Sequence, residues 1–273
     1  SLHSAMLAGT VDPWQLRTLL HLHDGLSFSL PLLAILLAHE SGHYLTARKY
    51  RVDASPPYFI PCPPAWNIIG TFGAFIRLRS PLFDRRTLFD VGVAGPLAGM
   101  VVALPVLLLG LHTSTAMPGL AMPALAHQFA RFNGDAILLG DSLLLVACRA
   151  LLGLHGTVQL SPLAVAGWVG LLVTSLNLLP LAQLDGGHIV FSMYLGGQRW
   201  VARVLWVLLI PLGYYWWRGW WLWALLGLLI GRGRLAHPPV IAPERPLDAA
   251  RMRVGWLAIA IFIVTFMPLP IAG

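Results

Sequence analysis

Long apolar runs, separated by short polar and proline-rich segments, dominate this chain. The first run covers about residues 26–50 and the second about 88–111, and each is long enough for a helix that crosses a bilayer. Three further runs follow at about 162–179, 201–230 and 254–271. Because helices satisfy their own backbone hydrogen bonds in lipid, this pattern predicts an all-α polytopic membrane protein.

The run at 201–230 fits either one long helix or two helices joined by a bend. Pro211 and Gly213 offer one place for a break. The aromatic residues around Trp216 are typical of a membrane–water interface. We favour a hairpin with these aromatic residues at its bend, which brings the predicted total to about six transmembrane helices.

Two connections between the runs do not fit a long helix. Five prolines between 56 and 64 exclude a continuous helix there, and residues 70–79 are rich in β-forming residues. We therefore predict a short membrane-associated strand or hairpin at 70–79. The longer connection, 112–160, contains the apolar stretch 137–152, which predicts a short helix that lies on the membrane or dips into it.

Composition and charge support this interpretation. Of the 273 residues, 57% are hydrophobic and 11% are charged, too few charges to cover a soluble protein of this size. The net charge of +7 fits loops beside a lipid bilayer, and no basic stripe with interleaved aromatics indicates a nucleic-acid partner. Basic residues concentrate in 48–87 and 231–253, which the positive-inside rule places together on the cytoplasmic side. Both segments share a side only if 201–230 crosses the membrane twice.

The most informative polar residues lie inside the first apolar run, as His39-Glu40-Ser41-Gly42-His43. On a helix the two histidines are one turn apart and can bind one Zn²⁺, while Glu40 stays free to act as a base. Ionisable side chains are costly in a bilayer and usually mark a functional site. The alternative is a structural polar cluster between helices.

A catalytic zinc ion needs a third protein ligand and an open position for water. Asp185 is the best candidate, because Gly186 and Gly187 free the backbone to turn inward. His188 rivals it as a ligand, although we favour a supporting or substrate-side role for that histidine. Asn177 has two open roles: helix-end capping, and binding of substrate backbone or an oxyanion.

Three motifs together carry a family resemblance. They are His39-Glu40-x-x-His43, Gly95-Pro96-Leu97-Ala98-Gly99 and Asn177-x-x-Pro180-x-x-x-Leu184-Asp185-Gly186. In order and separation they resemble the site-2 protease family of intramembrane zinc metalloproteases, over roughly residues 26–195. Segments 57–61 and 70–75 are similar to the subgroup that includes chloroplast homologues and their bacterial relatives. The chain has no room for a PDZ domain between its spans.

The resemblance implies a three-helix catalytic core in which His39, His43 and Asp185 hold one zinc ion and Glu40 activates water. It also implies that segment 70–79 lies at membrane depth and adds a strand to an unwound transmembrane substrate. The implied substrate-binding residues there are Gly70, Thr71, Phe72, Gly73 and Ala74. At position 188 a histidine stands where many relatives have arginine, so no role is carried over to it.

These expectations divide the chain into an N-terminal interfacial segment (1–25), a catalytic membrane core (26–198, with 112–160 as an insertion) and C-terminal transmembrane helices (199–273). The expected activity is zinc-dependent hydrolysis of peptide bonds within or near transmembrane segments of membrane-anchored proteins, after a first cleavage by another protease. We expect a bacterial inner membrane, with an organellar membrane as the alternative, and an active site near the cytoplasmic side. An inactive pseudoprotease or a metal-binding transporter is the alternative function, but neither needs a free carboxylate between two ligands.

Overall fold

A computed structural model describes residues 22–61, 71–77, 79–80, 83–117, 125–132 and 135–272. Within them, helices carry most of the chain and short strands form two sheets. The helices are α1 (Leu22–Lys49), α2 (Arg85–His112), α3 (Leu143–Leu151), α4 (Pro162–Asn177), α5 (Asp185–Met193), α6 (Gln198–Tyr215), α7 (Gly219–Ile230) and α8 (Ala249–Thr265). The strands are β1 (Tyr58–Pro61), β2 (Thr71–Phe75), β3 (Thr115–Met117), β4 (Gln128–Phe132), β5 (Asp135–Leu139), β6 (Thr157–Gln159) and β7 (Ile271–Ala272).

The mostly helical character confirms the coarse sequence prediction. Among the described helices, α2 and residues 25–49 of α1 are long and apolar enough to cross a membrane, while α4 and α7 are shorter apolar helices. One face of α1 exposes a row of leucines spaced three and four residues apart: Leu26, Leu30, Leu33 and Leu37. The total of about six spanning helices goes beyond this finding and stays a prediction. The predicted interfacial segment lies almost wholly outside the described residues.

The run at 201–230 forms two helices, as the hairpin interpretation predicts. α6 continues through Pro211 and ends at Tyr215, and α7 begins at Gly219. The break therefore lies within the aromatic segment. The indole N–H of Trp206 on α6 donates to the carbonyl oxygen of Ala224 on α7 at 2.9 Å, which joins the two helices.

The connection 112–160 folds differently from the prediction. It contributes four strands of a five-stranded sheet with the order β3-β6-β4-β5-β7, whose last strand comes from residues 271–272. The stretch 137–152, predicted as one helix, is divided between β5 and α3, so an all-α description is too narrow. Periodicity cannot distinguish a short apolar strand from a buried helix, and the partner β7 is more than 130 residues away from β5.

The strand predicted within 70–79 is confirmed as β2. It pairs antiparallel with β1, which places Phe59 opposite Ala74, and the register becomes irregular towards Pro61. A proline has no N–H to donate to a strand ladder, so it is tolerated at such an edge. Gly70 lies outside the described residues.

Helices α1, α2 and α4 pack closely through glycines. Gly42 on α1 faces the backbone of Ala94 on α2, and Gly167 on α4 faces the backbone of Leu107 on α2. A Cβ at either glycine would overlap the neighbouring helix, so these two positions set the distance between the helix axes.

The two basic segments lie beside each other, as the charge pattern predicts. The N–H of Ala242 donates to the carbonyl oxygen of Phe83 at 2.8 Å, and Arg86 Nε donates to the carbonyl oxygen of Pro246 at 2.9 Å. The segment after α7 therefore returns to the end of the bundle at which α2 begins.

Candidate metal centre

Three buried or nearly buried donor atoms converge between α1 and the start of α5. His39 Nε2 and His43 Nε2 lie 3.1 Å apart, and Asp185 Oδ2 lies 3.2 Å from the first and 3.4 Å from the second. Ligands bound tetrahedrally to zinc at 2.0–2.1 Å are separated by about 3.3–3.4 Å. The spacing and the nitrogen–oxygen donor set therefore fit a zinc ion with three protein ligands, and the structure brings together the three residues named from the sequence.

Glycines on α2 make room for the two imidazoles. A Cβ at Gly95 would overlap the His43 ring, and one at Gly99 would lie 3.3 Å from His39 Nδ1. The small residues of the Gly95–Gly99 motif thus do more than allow close helix packing, because they also provide space for the histidine rings.

The orientation of His43 is set by a backbone contact. Its Nδ1 lies 2.7 Å from the carbonyl oxygen of Val91. A carbonyl oxygen only accepts, so Nδ1 carries the proton and the lone pair of Nε2 faces the space between Asp185 and His39, where a metal ion would bind. Such a contact on the far nitrogen is the usual way in which a metal-binding histidine is held.

Glu40 lies beside these donors without being one of them in the three-residue cluster. Its carboxylate accepts a hydrogen bond from the backbone N–H of Ile76, directly after β2. The end of the predicted substrate-binding strand and the candidate base are therefore in contact, which the sequence motifs did not indicate.

Asp185 is positioned by the chain turn between α4 and α5. Gly186 packs on the carbonyl oxygen of Leu178, and Gly187 packs on that of Ala182. A side chain at either position would push the start of α5 away from the end of α4. This close approach explains why two glycines follow the aspartate.

Asn177 and His188 lie on different sides of this turn. The side-chain nitrogen of Asn177 is 3.3 Å from His39 Nε2, so its amide reaches the cluster. His188 Nδ1 instead contacts His237 Nε2 at 2.8 Å, and His188 Cβ lies against Gly92. His237 was missed by sequence reasoning, because no spacing rule connects it to residues almost 50 positions earlier. Burial lowers the pKa of His237, which keeps that ring neutral near pH 7.

Of the substrate-binding residues that the resemblance implies, 70–74, the structure describes all but Gly70. Thr71, Phe72, Gly73 and Ala74 all lie on β2, and Ala74 is buried. β2 ends one residue before Ile76, whose backbone N–H donates to Glu40.

A charged cluster ties α8 to the start of α2 on the basic side of the bundle. Arg251 Nη2 and Nε lie 2.7 and 2.8 Å from the two carboxylate oxygens of Asp90, and the Tyr50 hydroxyl donates to the same carboxylate. Hydrogen bonding to Asp90 raises the pKa of Arg251. Asp248 caps α8 by accepting the Arg251 backbone N–H, a contact that lowers the pKa of Asp248. Arg251 and Asp90 are 161 positions apart, so no local spacing in the sequence indicates this pair.

Comparison with known proteins agrees with this geometry. A sequence profile described as Peptidase family M50 matches residues 27–210, well over half of the chain. The probable zinc metalloprotease EGY1, chloroplastic, of Arabidopsis thaliana is 42% identical over 164 residues, which cover 58% of the chain and 28% of that relative. The probable zinc metalloprotease EGY2, chloroplastic, of the same plant is 30% identical over 264 residues, which cover 92% of the chain and 43% of that relative. The chain thus spans less than half of the length of either relative, and no solved structure matches it.

Proposed function

The chain belongs to peptidase family M50, and on this premise we propose that it is a zinc metalloprotease that hydrolyses peptide bonds within or near transmembrane segments of membrane-anchored proteins. The observation that carries the proposal is the tetrahedral spacing of three donor atoms beside a carboxylate that is not a donor. The names of its relatives, which describe probable zinc metalloproteases, support the same assignment.

In the proposed mechanism His39, His43 and Asp185 would hold the zinc ion, which when bound would polarise the scissile carbonyl and acidify water. Glu40 takes the proton from the attacking water and delivers it to the leaving amine. The hydrogen bond from Ile76 holds the Glu40 carboxylate in place between these two transfers. Asn177, whose amide lies 3.3 Å from His39 Nε2, donates a hydrogen bond to the oxyanion that develops on the substrate.

A substrate helix must unwind before hydrolysis, because its peptide groups are bonded within the helix. We propose that the freed segment adds to the β1–β2 sheet as a further strand, through residues 70–74, and so regains backbone partners. Because β2 runs into Ile76, a strand added here passes close to Glu40. The exposed leucine face of α1 supports a lipid-embedded site.

The proposal extends to the membrane and to the side of it on which the metal site lies. We propose that the metal-binding end of α1 lies near the cytoplasmic side of a bacterial inner membrane, or the equivalent side of an organellar one. The basic segments 48–87 and 231–253 support this orientation through the positive-inside rule. The substrate is a membrane-anchored protein, shortened beforehand by another protease.

The test compares wild type with Glu40→Gln, in detergent and in vesicles, on single-span substrates with and without their extramembrane domain. We expect stoichiometric zinc in both proteins and cleavage only by wild type. Glu244→Gln, which changes an exposed glutamate in the loop before α8, serves as the matched control and should cleave normally. Full cleavage by Glu40→Gln would overturn the mechanism, and zinc binding without cleavage by wild type would favour a pseudoprotease or transporter.

A further inference from the structure

The chain directly after α7 folds back over the turn that precedes Asp185. We call residues 230–237 the strap. The carbonyl oxygen of Leu235 accepts the N–H of Ala182 at 2.9 Å, and that of Ile230 accepts from the Gln183 side chain at 3.5 Å. Ala182 has a φ of 44°, a left-handed conformation that is costly for a residue with a side chain. The contact with Leu235 helps to hold this unfavourable turn.

The strap also reaches the other side of Asp185. His237 donates from Nδ1 to the carbonyl oxygen of Pro238, so its Nε2 is an acceptor. The partner at 2.8 Å is His188 Nδ1, which must therefore be the donor, one helical turn beyond Asp185 on α5. His237 is itself confined, because its ring packs on Phe191 with 4.5 Å between ring centroids and its backbone N–H donates to Gln198 Oε1 at 3.0 Å.

Asp185 needs such support more than the two histidine ligands do. It is the first residue of a nine-residue helix, and the residue before it, Leu184, makes no side-chain capping bond. His39 and His43 lie on a helix of 28 residues, and His43 is additionally fixed by Val91. A short helix without a side-chain cap holds its first residue weakly unless other contacts do so.

We propose that the strap is a positioning element for the metal centre and that His237 is its positioning residue. By holding Ala182, Gln183 and His188, it fixes the chain on both sides of Asp185 and so sets the direction of the Asp185 carboxylate. Loss of the His188–His237 bond lets α5 shift and weakens metal binding without removing a ligand. This inference rests on the proposed metal site, and it adds a role for the region after α7.

The test uses the full chain with Co²⁺ as the probe, since its visible absorption reports coordination geometry. Asparagine places its amide near the position of imidazole Nδ1, and glutamine places it near Nε2. At position 237, where Nε2 makes the contact, we expect His237→Gln to retain Co²⁺ affinity and His237→Asn to lose about tenfold, with an altered spectrum. At position 188 the contact is made by Nδ1, so the order of the two variants reverses. We expect His188→Asn to retain Co²⁺ affinity and His188→Gln to lose it.

This opposite ranking distinguishes a positioning hydrogen bond from a general effect of side-chain size or stability. His155→Asn, at an exposed histidine before β6, is the control and should match wild type. The same ranking at both positions, or unchanged affinity and spectra in all four variants, would overturn the inference while leaving the metal site intact. Failure of wild type to bind one Co²⁺ would overturn the metal site itself, and the inference with it.

Discussion

The carboxylate of Glu40 accepts a hydrogen bond from the backbone N–H of Ile76. This contact joins the candidate base on α1 to the residue that follows β2. In the proposed mechanism, a substrate strand that adds to β2 would lie next to Glu40.

Removal of that N–H should impair catalysis selectively. Ile76→Pro lacks the donor, and a hydrogen bond to a charged group contributes about 1.5–3 kcal/mol, so we expect kcat/KM to fall by roughly 10- to 100-fold. Zinc content should stay at the wild-type level, because no ligand changes. Ile76→Val retains the N–H and serves as the control. Equal activity of the two variants would show that the contact does not matter for turnover.

Two glycines of α2 should differ in their tolerance of a methyl group. A Cβ at Gly95 overlaps the His43 ring, whereas one at Gly99 lies 3.3 Å from His39, a contact that a small shift relieves. We therefore expect Gly95→Ala to lose most of its bound zinc and Gly99→Ala to lose little, as measured by elemental analysis of the purified proteins. Gly25→Ala, where the new methyl group meets nothing within 4 Å, is the control. Similar zinc content in Gly95→Ala and Gly25→Ala would contradict this account of the helix contact.

Arg251 should stabilise the fold rather than the metal centre. Its bonds to Asp90 are half-buried, with 27% and 21% of the two side chains exposed. Among the described residues, Arg251→Met leaves Tyr50 as the remaining hydrogen-bond partner of the Asp90 carboxylate. We expect a loss of about 1–3 kcal/mol in the free energy of unfolding, measured by denaturant titration in detergent, with Co²⁺ affinity unchanged. Arg253→Met, at an exposed arginine two residues later, should cost much less. A loss of metal affinity in Arg251→Met would show that the cluster acts on the site.

Mild acid should loosen the strap. Because burial lowers the pKa of His237 below the unfolded value of 6.5, the unfolded chain binds its proton first as the pH falls. The contribution of His237 to stability is therefore complete above that value and declines below it. Protonation would also occupy Nε2, the acceptor for His188, which is the titratable group that faces His237.

The measurement is the thermal midpoint of wild type and His237→Gln between pH 7.5 and 5. Glutamine does not titrate, so the midpoint of His237→Gln should depend less steeply on pH than that of wild type. Parallel curves would contradict the assigned role of His237.

The sequence predicted those features that depend on local spacing. His39 and His43 share a helical face because they are four residues apart, and the glycines after Asp185 indicated a turn. The β2 strand followed from its β-forming residues. The contacts of Ile76, His237 and Arg251 could not be predicted, since each joins segments dozens of residues apart whose packing no periodic pattern encodes. The sheet built from 112–160 and β7 was missed for the same reason.

The backbone contact between Gly42 and Ala94 has a consequence for how the centre opens. This close approach leaves little room for α1 and α2 to shift against each other, so we expect the helix that carries the two histidines to move less than the rest of the site. Movement that widens the site is then expected at Asp185, the first residue of a nine-residue helix, within the limits that the strap sets. One side of the centre is therefore fixed by helix packing, and the position of the other side can be adjusted.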